Sequence, residues 1–138
     1  MQKYKSSSEE ETKKIAADLA KKTKANFFAL SGELGAGKTI FVQGFAKGLG
    51  IKEKTISPTF ILIRQHQIPN SPKILYHIDL YRLENLKDIS SLGLEEIWSN
   101  PNNVVLIEWA EKLNELPKNT VKIILEKEKE DKRLITIL

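Results

Sequence analysis

The sequence predicts a single α/β domain built on a mostly parallel central sheet flanked by helices, with antiparallel hairpin strands. Three observations carry this. Asn26 to Ser31 (NFFALS) is a short, nearly continuous apolar run that leads into a glycine-rich segment and then a helical pattern, as a strand buried on both faces does. Val104 to Ile107 (VVLI) is a second such run, the most apolar of the chain. Two further pairs of strand-like runs are separated by short polar or charged segments, the pattern of hairpins. At 138 residues, with no internal repeat and no linker, the whole of 1–138 is expected to form one domain.

The elements follow in order. Ser8 and Glu11 have the spacing of a capping box, and Ile15, Ala16, Leu19 and Ala20 then share one face, so a helix is predicted from about residue 9 to 22. NFFALS is the strand after it. From Thr39 to Leu49, Phe41, Val42, Phe45 and Leu49 share a helical face, and Gly50 stands where a left-handed terminator belongs. Thr59 to Ile63 (TFILI) and Ile74 to Ile78 (ILYHI) are strand-like and flank a polar turn around Pro69 to Pro72, a predicted hairpin. Leu86 to Trp98 has the composition of one or two short helices broken near Gly93. VVLI ends at Glu108, with a further helix starting near Ala110. Val121 to Leu125 and Leu134 to Leu138 complete the chain as a second hairpin whose tip, Glu126 to Arg133, is solvated.

Composition narrows the chemistry. With 41% hydrophobic and 29% charged residues the chain is an ordinary folding sequence rather than a disordered one. It has no cysteine, which removes disulfides, thiolate metal sites and cysteine nucleophiles; His66 and His77, its two histidines, are too few for a histidine zinc site. No apolar run approaches the roughly 20 residues that span a bilayer. Met1 leads into a Lys/Ser/Glu-rich segment, so no membrane association and a cytoplasmic address are expected. The net charge of +4 is carried mostly by dispersed lysines, the arginines being Arg64, Arg82 and Arg133, which describes a solvated surface better than a nucleic-acid groove.

Gly32-Glu33-Leu34-Gly35-Ala36-Gly37-Lys38-Thr39 fits GxxxxGK(S/T) at every fixed position. Such a loop works between a buried strand and a helix, where successive backbone N–H groups and the helix dipole point at phosphate oxygens. NFFALS before it and the Thr39 to Leu49 helix after it supply that context. The glycines let the backbone curl and approach, Lys38 is the group that bridges β and γ phosphates, and the Thr39 hydroxyl is a magnesium ligand. Magnesium needs a second anchor and an attacking water needs orienting, tasks for carboxylates at the ends of neighbouring strands. Glu108 after VVLI and Asp79 after ILYHI have that placement. A helix cap for Glu108 and an ion pair with Arg82 for Asp79 are the structural alternatives. His77, inside a strand, reads as a hydrogen-bonded structural group before it reads as a base. Trp109 is either a stacking surface or a cover for the core edge.

Taken together, GELGAGKT, SPTF (Ser57 to Phe60), HIDLYRL (His77 to Leu83), LGLEEIW (Leu92 to Trp98) and LIEWAEK (Leu106 to Lys112) resemble the TsaE (YjeE) family. That family supplies the small ATPase of the bacterial machinery that makes threonylcarbamoyladenosine in tRNA. The resemblance runs over essentially the whole chain. It implies a P-loop NTPase-like fold, magnesium-dependent ATP binding with slow hydrolysis, and action in a complex with TsaB and TsaD, tRNA being reached indirectly through that complex. It makes Gly32, Glu33, Leu34, Gly35, Ala36, Gly37, Lys38, Thr39 and Ile40 the ATP-binding loop, Lys38 the phosphate lysine, and Thr39 and Glu108 the magnesium residues. Asp79 becomes a catalytic or metal-water carboxylate and Thr59 part of a switch-like loop. Adenine contacts are expected near Glu9 and Thr12 or near Arg133, with a helix cap and a salt-bridged surface as the alternatives. Two positions depart from the family pattern. Ile40 replaces a second threonine while keeping its backbone N–H, and Arg64 and His66 follow the SPTF strand where an aromatic is common.

A small P-loop kinase shares the loop, the lysine and the magnesium, but needs a second substrate pocket and an arginine-bearing lid, and three unclustered arginines do not provide one. A guanine-nucleotide switch is disfavoured further, since neither NKxD nor DxxG follows the loop. A module gated by ATP occupancy rather than turnover differs little in sequence from the ATPase reading.

Overall fold

Residues 1–33, 35–52, 63–81, 93–113, 115–129 and 131–138 are described by the structure, a computed structural model. Their elements are β1 (Gln2–Ser6), α1 (Glu9–Lys22), β2 (Phe27–Ser31), α2 (Lys38–Gly48), β3 (Ile63–Gln67), β4 (Ile74–Asp79), α3 (Leu94–Ser99), β5 (Asn103–Glu108), a 3-10 turn (Ala110–Lys112), β6 (Val121–Lys129) and β7 (Lys132–Ile137). Among the described residues the strands make one seven-stranded sheet in the order β1-β7-β6-β2-β5-β4-β3. Its centre, β6-β2-β5-β4, is parallel; β7 and β1 on one side and β3 on the other pair antiparallel. This is the α/β architecture that the sequence predicts.

The central strands are apolar on both faces because both faces are covered. Phe28 and Leu30 of β2 join Leu106, Ile123, Leu125 and Ile135 under α1 and α2, which contribute Ala16, Ala20, Phe41, Val42 and Phe45. Phe27 and Ala29, one residue out of step, face the other way and join Val105, Ile107 and Ile78 beneath Leu94 of α3 and Ala110. Strand alternation thus divides one run of apolar residues between two cores.

Helix α1 spans the predicted residues. The Ser8 hydroxyl accepts from the Glu11 amide at 3.1 Å, and the Glu11 carboxylate accepts from the amide of Ser7 at 3.2 Å, one residue earlier than the standard box. Helix α2 begins one residue before the predicted start and ends at Gly48. It lies directly against α1: a Cβ on Gly48 would stand 2.6 Å from the Ala17 carbonyl oxygen, and one on Gly44 would collide with the backbone of Lys13. These two glycines, one turn apart, set how closely the helices approach.

Several expectations change, among them the helix expected near Ala110, which is a three-residue 3-10 turn, Ala110–Lys112. Strand β1 was not expected; it has four exposed residues in five and pairs with β7, Tyr4 opposite Ile135. The final hairpin is also longer than expected: β6 runs to Lys129 and β7 starts at Lys132, so most of Glu126 to Arg133 is paired strand, while its described residues up to Lys132 are exposed to solvent as expected. The predicted TFILI strand meets the described residues only at Ile63, where β3 begins, and Ile63↔Ile78 to Gln67↔Ile74 form the expected hairpin. Leu34, Thr59 with the rest of SPTF, and Arg82 lie outside the described residues, as does most of the stretch before Gly93. No helix among the described residues is long and apolar enough to cross a membrane.

Candidate functional site

Parallel strands all end on the same side of the sheet, and in an open α/β sheet that side carries the ligand crevice. Here β2 ends at Ser31, β4 at Asp79 and β5 at Glu108, with Leu30 and Asp79 both in register with Glu108. The glycine-rich loop leaves β2 at this edge and returns as α2. Gly35 and Gly37 take φ of 83° and 99°, left-handed values that side chains resist, and Gly32 sits where the Leu125 carbonyl leaves no room for a Cβ. The first bond into α2 is from the Phe41 amide to the Gly37 carbonyl, so the amides of the first turn lie ahead of the intrahelical ladder and project along the axis.

These elements enclose a cleft of about 520 Å³. Gly35, Gly37, Lys38, Thr39 and Ile40 line it from the loop and α2, Asp79 and Glu108 from the strand ends, Glu9 and Thr12 from α1, and Arg133 from β7. Residues from five separate parts of the chain that were singled out in the sequence therefore meet in one cavity. Gly32, Glu33 and Ala36 line a different groove, against Ile124 to Lys127 of β6. Leu34 and Thr59 lie outside the described residues.

Lys38 is buried at the floor. Its Nζ donates to the Gly32 carbonyl at 2.7 Å and stands 4.1 Å from the centroid of the Trp109 ring. Trp109 itself has φ 61°, a left-handed conformation that a bulky aromatic adopts only when its surroundings require it. The turn after β5 thereby places the indole on the lysine and 5.0 Å from the Tyr81 ring. The two sequence readings of Trp109 are thus joined by a third contact, with the loop lysine.

Glu108 is buried, and its Oε2 lies 2.6 Å from Nε2 of the equally buried His77. With an ionised carboxylate as acceptor, the imidazole is the donor. His77 is thus the hydrogen-bonded group expected of it, and its partner is the acid at the site. Asp79 Oδ1 accepts from the Tyr81 amide at 2.9 Å. Burial pushes the Asp79 carboxyl above its ordinary value; the Tyr81 amide pulls it down, the Glu108 charge adds to the rise, and His77 and Lys38 oppose it.

Two neighbouring carboxylates and a threonine hydroxyl form a hard-oxygen set, the chemistry that suits magnesium. Among the described residues no group of three or more His, Cys, Asp or Glu is placed to hold a metal. A nucleotide-bound magnesium does not require one, since phosphate oxygens and water fill most of its shell. Thr12 lines the cleft, but its hydroxyl is engaged with Ser6 at 2.7 Å. Arg133 is turned to the loop: Nε donates to the Ala36 carbonyl and a terminal nitrogen to that of Gly35, both at 3.1 Å. Ser8, Tyr81 and Asp131 also line the cleft. Sequence reasoning named Ser8 only as a helix cap and Tyr81 only within the DLYR segment, and passed over Asp131, which no local pattern marks because the β6–β7 hairpin brings it there.

Comparison with known proteins gives a consistent result. The family described as "Threonylcarbamoyl adenosine biosynthesis protein TsaE" matches residues 6–135. A protein of Bacillus subtilis strain 168 named tRNA threonylcarbamoyladenosine biosynthesis protein TsaE is 40% identical over 136 residues, 97% of this chain and 83% of its own. A protein of the same name from Rickettsia bellii is 41% identical over 133 residues, 94% of this chain and 90% of its own. The crystal structure of Bacillus subtilis YdiB superposes with a TM-score of 0.79 at 35% identity, covering 99% of this chain and 83% of that one.

Proposed function

This chain belongs to the TsaE family of threonylcarbamoyl adenosine biosynthesis proteins, and we propose that it is a magnesium-dependent ATP-binding protein and slow ATPase that supports this tRNA modification in a complex with TsaB and TsaD. The observation that carries the reading is the meeting of the loop residues Gly35 and Gly37 to Ile40 with Asp79 and Glu108 in one cleft. In this reading the loop amides and the start of α2 bind the phosphates, and Lys38 turns its charge to the β and γ oxygens. Thr39 and Glu108 would hold magnesium, which when bound would offset phosphate charge. His77 fixes the Glu108 carboxylate by its hydrogen bond. Asp79 orients the water whose oxygen bonds to the γ phosphorus as the bridging P–O bond to ADP breaks, the water's proton passing to an oxygen of the released phosphate.

The test is ADP formation from MgATP by the chain alone and after mixing with TsaB and TsaD counterparts, with phosphorylated acceptors sought in parallel. Turnover that depends on magnesium and rises on mixing is expected. Lys38→Ala should cost on the order of 100-fold in turnover, because it removes charge aimed at the transferring phosphoryl group. A folded Lys38→Ala protein with unchanged turnover would overturn the assignment, and a phosphorylated acceptor would replace the ATPase with a kinase.

A further inference from the structure

We propose that Arg133 is a positioning residue for the phosphate loop, its guanidinium fixing the orientation of the loop's peptide planes; this rests on the nucleotide reading above. Nε and one terminal nitrogen donate to the carbonyls of Ala36 and Gly35, each at 3.1 Å, across 97 and 98 residues of sequence. The other terminal nitrogen donates to the Lys129 and Lys132 carbonyls, both at 3.1 Å, at the turn of the arginine's own hairpin. One planar group therefore joins the β6–β7 turn to the loop.

The physical need is specific to a glycine-rich loop. At Gly35 and Gly37, with φ of 83° and 99°, a peptide plane can rotate with little steric resistance. A half-turn presents a carbonyl to a phosphate where an amide stood. Holding the carbonyls of residues 35 and 36 fixes the peptides that carry the amides of residues 36 and 37; the Ala36 amide also donates to the Glu33 carbonyl at 3.0 Å, so the hold of Arg133 bears chiefly on the Gly37 amide. A cap at two adjacent carbonyls calls for a rigid fork with several donors, which arginine has and lysine lacks. The sheet supplies the anchor: Arg133 lies opposite Ser6 of β1 and Lys127 of β6, so strands on both sides hold its backbone.

The contact also separates this role from an adenine contact, the expectation for Arg133 from sequence. A positioning residue acts on the phosphate site whatever base is attached. The experiment is calorimetric titration of wild type, Arg133→Ala and Arg133→Lys with MgATP and with magnesium tripolyphosphate, which has no base. Amide hydrogen exchange of residues 35–38 in the ligand-free proteins is the companion measurement. Arg133→Ala should weaken both ligands by the same factor, roughly tenfold, and speed loop exchange. Arg133→Lys, which keeps the charge and the stem, should restore only a minor part of the affinity.

Three results overturn the proposal. Weakened MgATP with unchanged tripolyphosphate assigns the side chain to the base. Full recovery in Arg133→Lys makes it a matter of charge alone, and unchanged affinity and loop exchange make the contact idle. If wild type binds neither ligand, the nucleotide reading itself fails, while loop exchange still decides whether the arginine orders the loop.

Discussion

Asp79 carries the sharpest electrostatic conflict of the site. Burial and then the neighbouring Glu108 hold its carboxyl above the ordinary 3.8, against the pull of the Tyr81 amide, His77 and Lys38. The native state therefore keeps the proton to a higher pH than the unfolded chain does. Stability falls as pH rises from the unfolded value through the raised one, and the deficit is complete above it. Asp79→Asn removes the ionisation and keeps an oxygen for the Tyr81 amide. The ligand-free variant should unfold at a higher temperature than wild type at neutral pH, with the gap closing as pH falls toward 3.8. A variant less stable than wild type at neutral pH would contradict this account, and turnover should be lost in either case. Glu108→Gln keeps shape and the His77 contact while losing charge, so magnesium should strengthen nucleotide binding in wild type and about tenfold less in the variant. Nucleotide affinity indifferent to magnesium in wild type would remove Glu108 from the metal. The positions of Lys38, Thr39, Asp79 and Glu108 were legible because motif spacing and strand ends are written locally. The His77 contact with Glu108, the indole over Lys38 and the turning of Arg133 to the loop were not, since each joins residues that only the sheet register brings together.

At the scale of elements, legibility followed apolar content. NFFALS, VVLI and the α1 and α2 faces stood out because burial on one or two faces demands unbroken or periodic apolar residues. QKYKS did not: as an edge strand with four exposed residues it is held by the ladder to β7 rather than by a core face, so no periodicity marks it. The same holds for the charged ends of β6 and β7, which the sequence presents as a solvated tip. The contact between α1 and α2 was hidden for a different reason, since a glycine inside a helix is read as a weakness until its neighbour is known. Gly44→Ala should improve local helix propensity by up to about 1 kcal/mol, yet force the helices apart. Overpacking of a fixed backbone contact costs about 1–3 kcal/mol, so net destabilisation is expected in denaturant unfolding. A stabilised Gly44→Ala protein would show that the helices can slide without loss.

At the scale of the whole molecule the proposed function turns on the cations that line the cleft. Phosphoryl transfer is accelerated by positioned positive charge and an oriented water. Among the described residues Lys38 and Arg133 are the cations lining the cleft, and both donate to loop carbonyls, of Gly32 for one and of Gly35 and Ala36 for the other. Such a site is built to bind phosphates more than to stabilise their transfer, so under the proposed function the isolated chain is expected to turn over slowly. The missing charge and closure would come from a partner docking over the cleft and from the SPTF and DLYR segments, whose Thr59 and Arg82 lie outside the described residues. Thr59→Ala or Arg82→Ala should then lower partner-stimulated turnover by roughly tenfold or more, the scale of a lost charge-stabilising contact, while MgATP binding by the isolated chain changes far less. The comparison isolates closure from binding because it reads the two on the same variants. Equal losses in both would place these side chains on the nucleotide itself. No loss in stimulated turnover would mean that the partner completes the site from another direction.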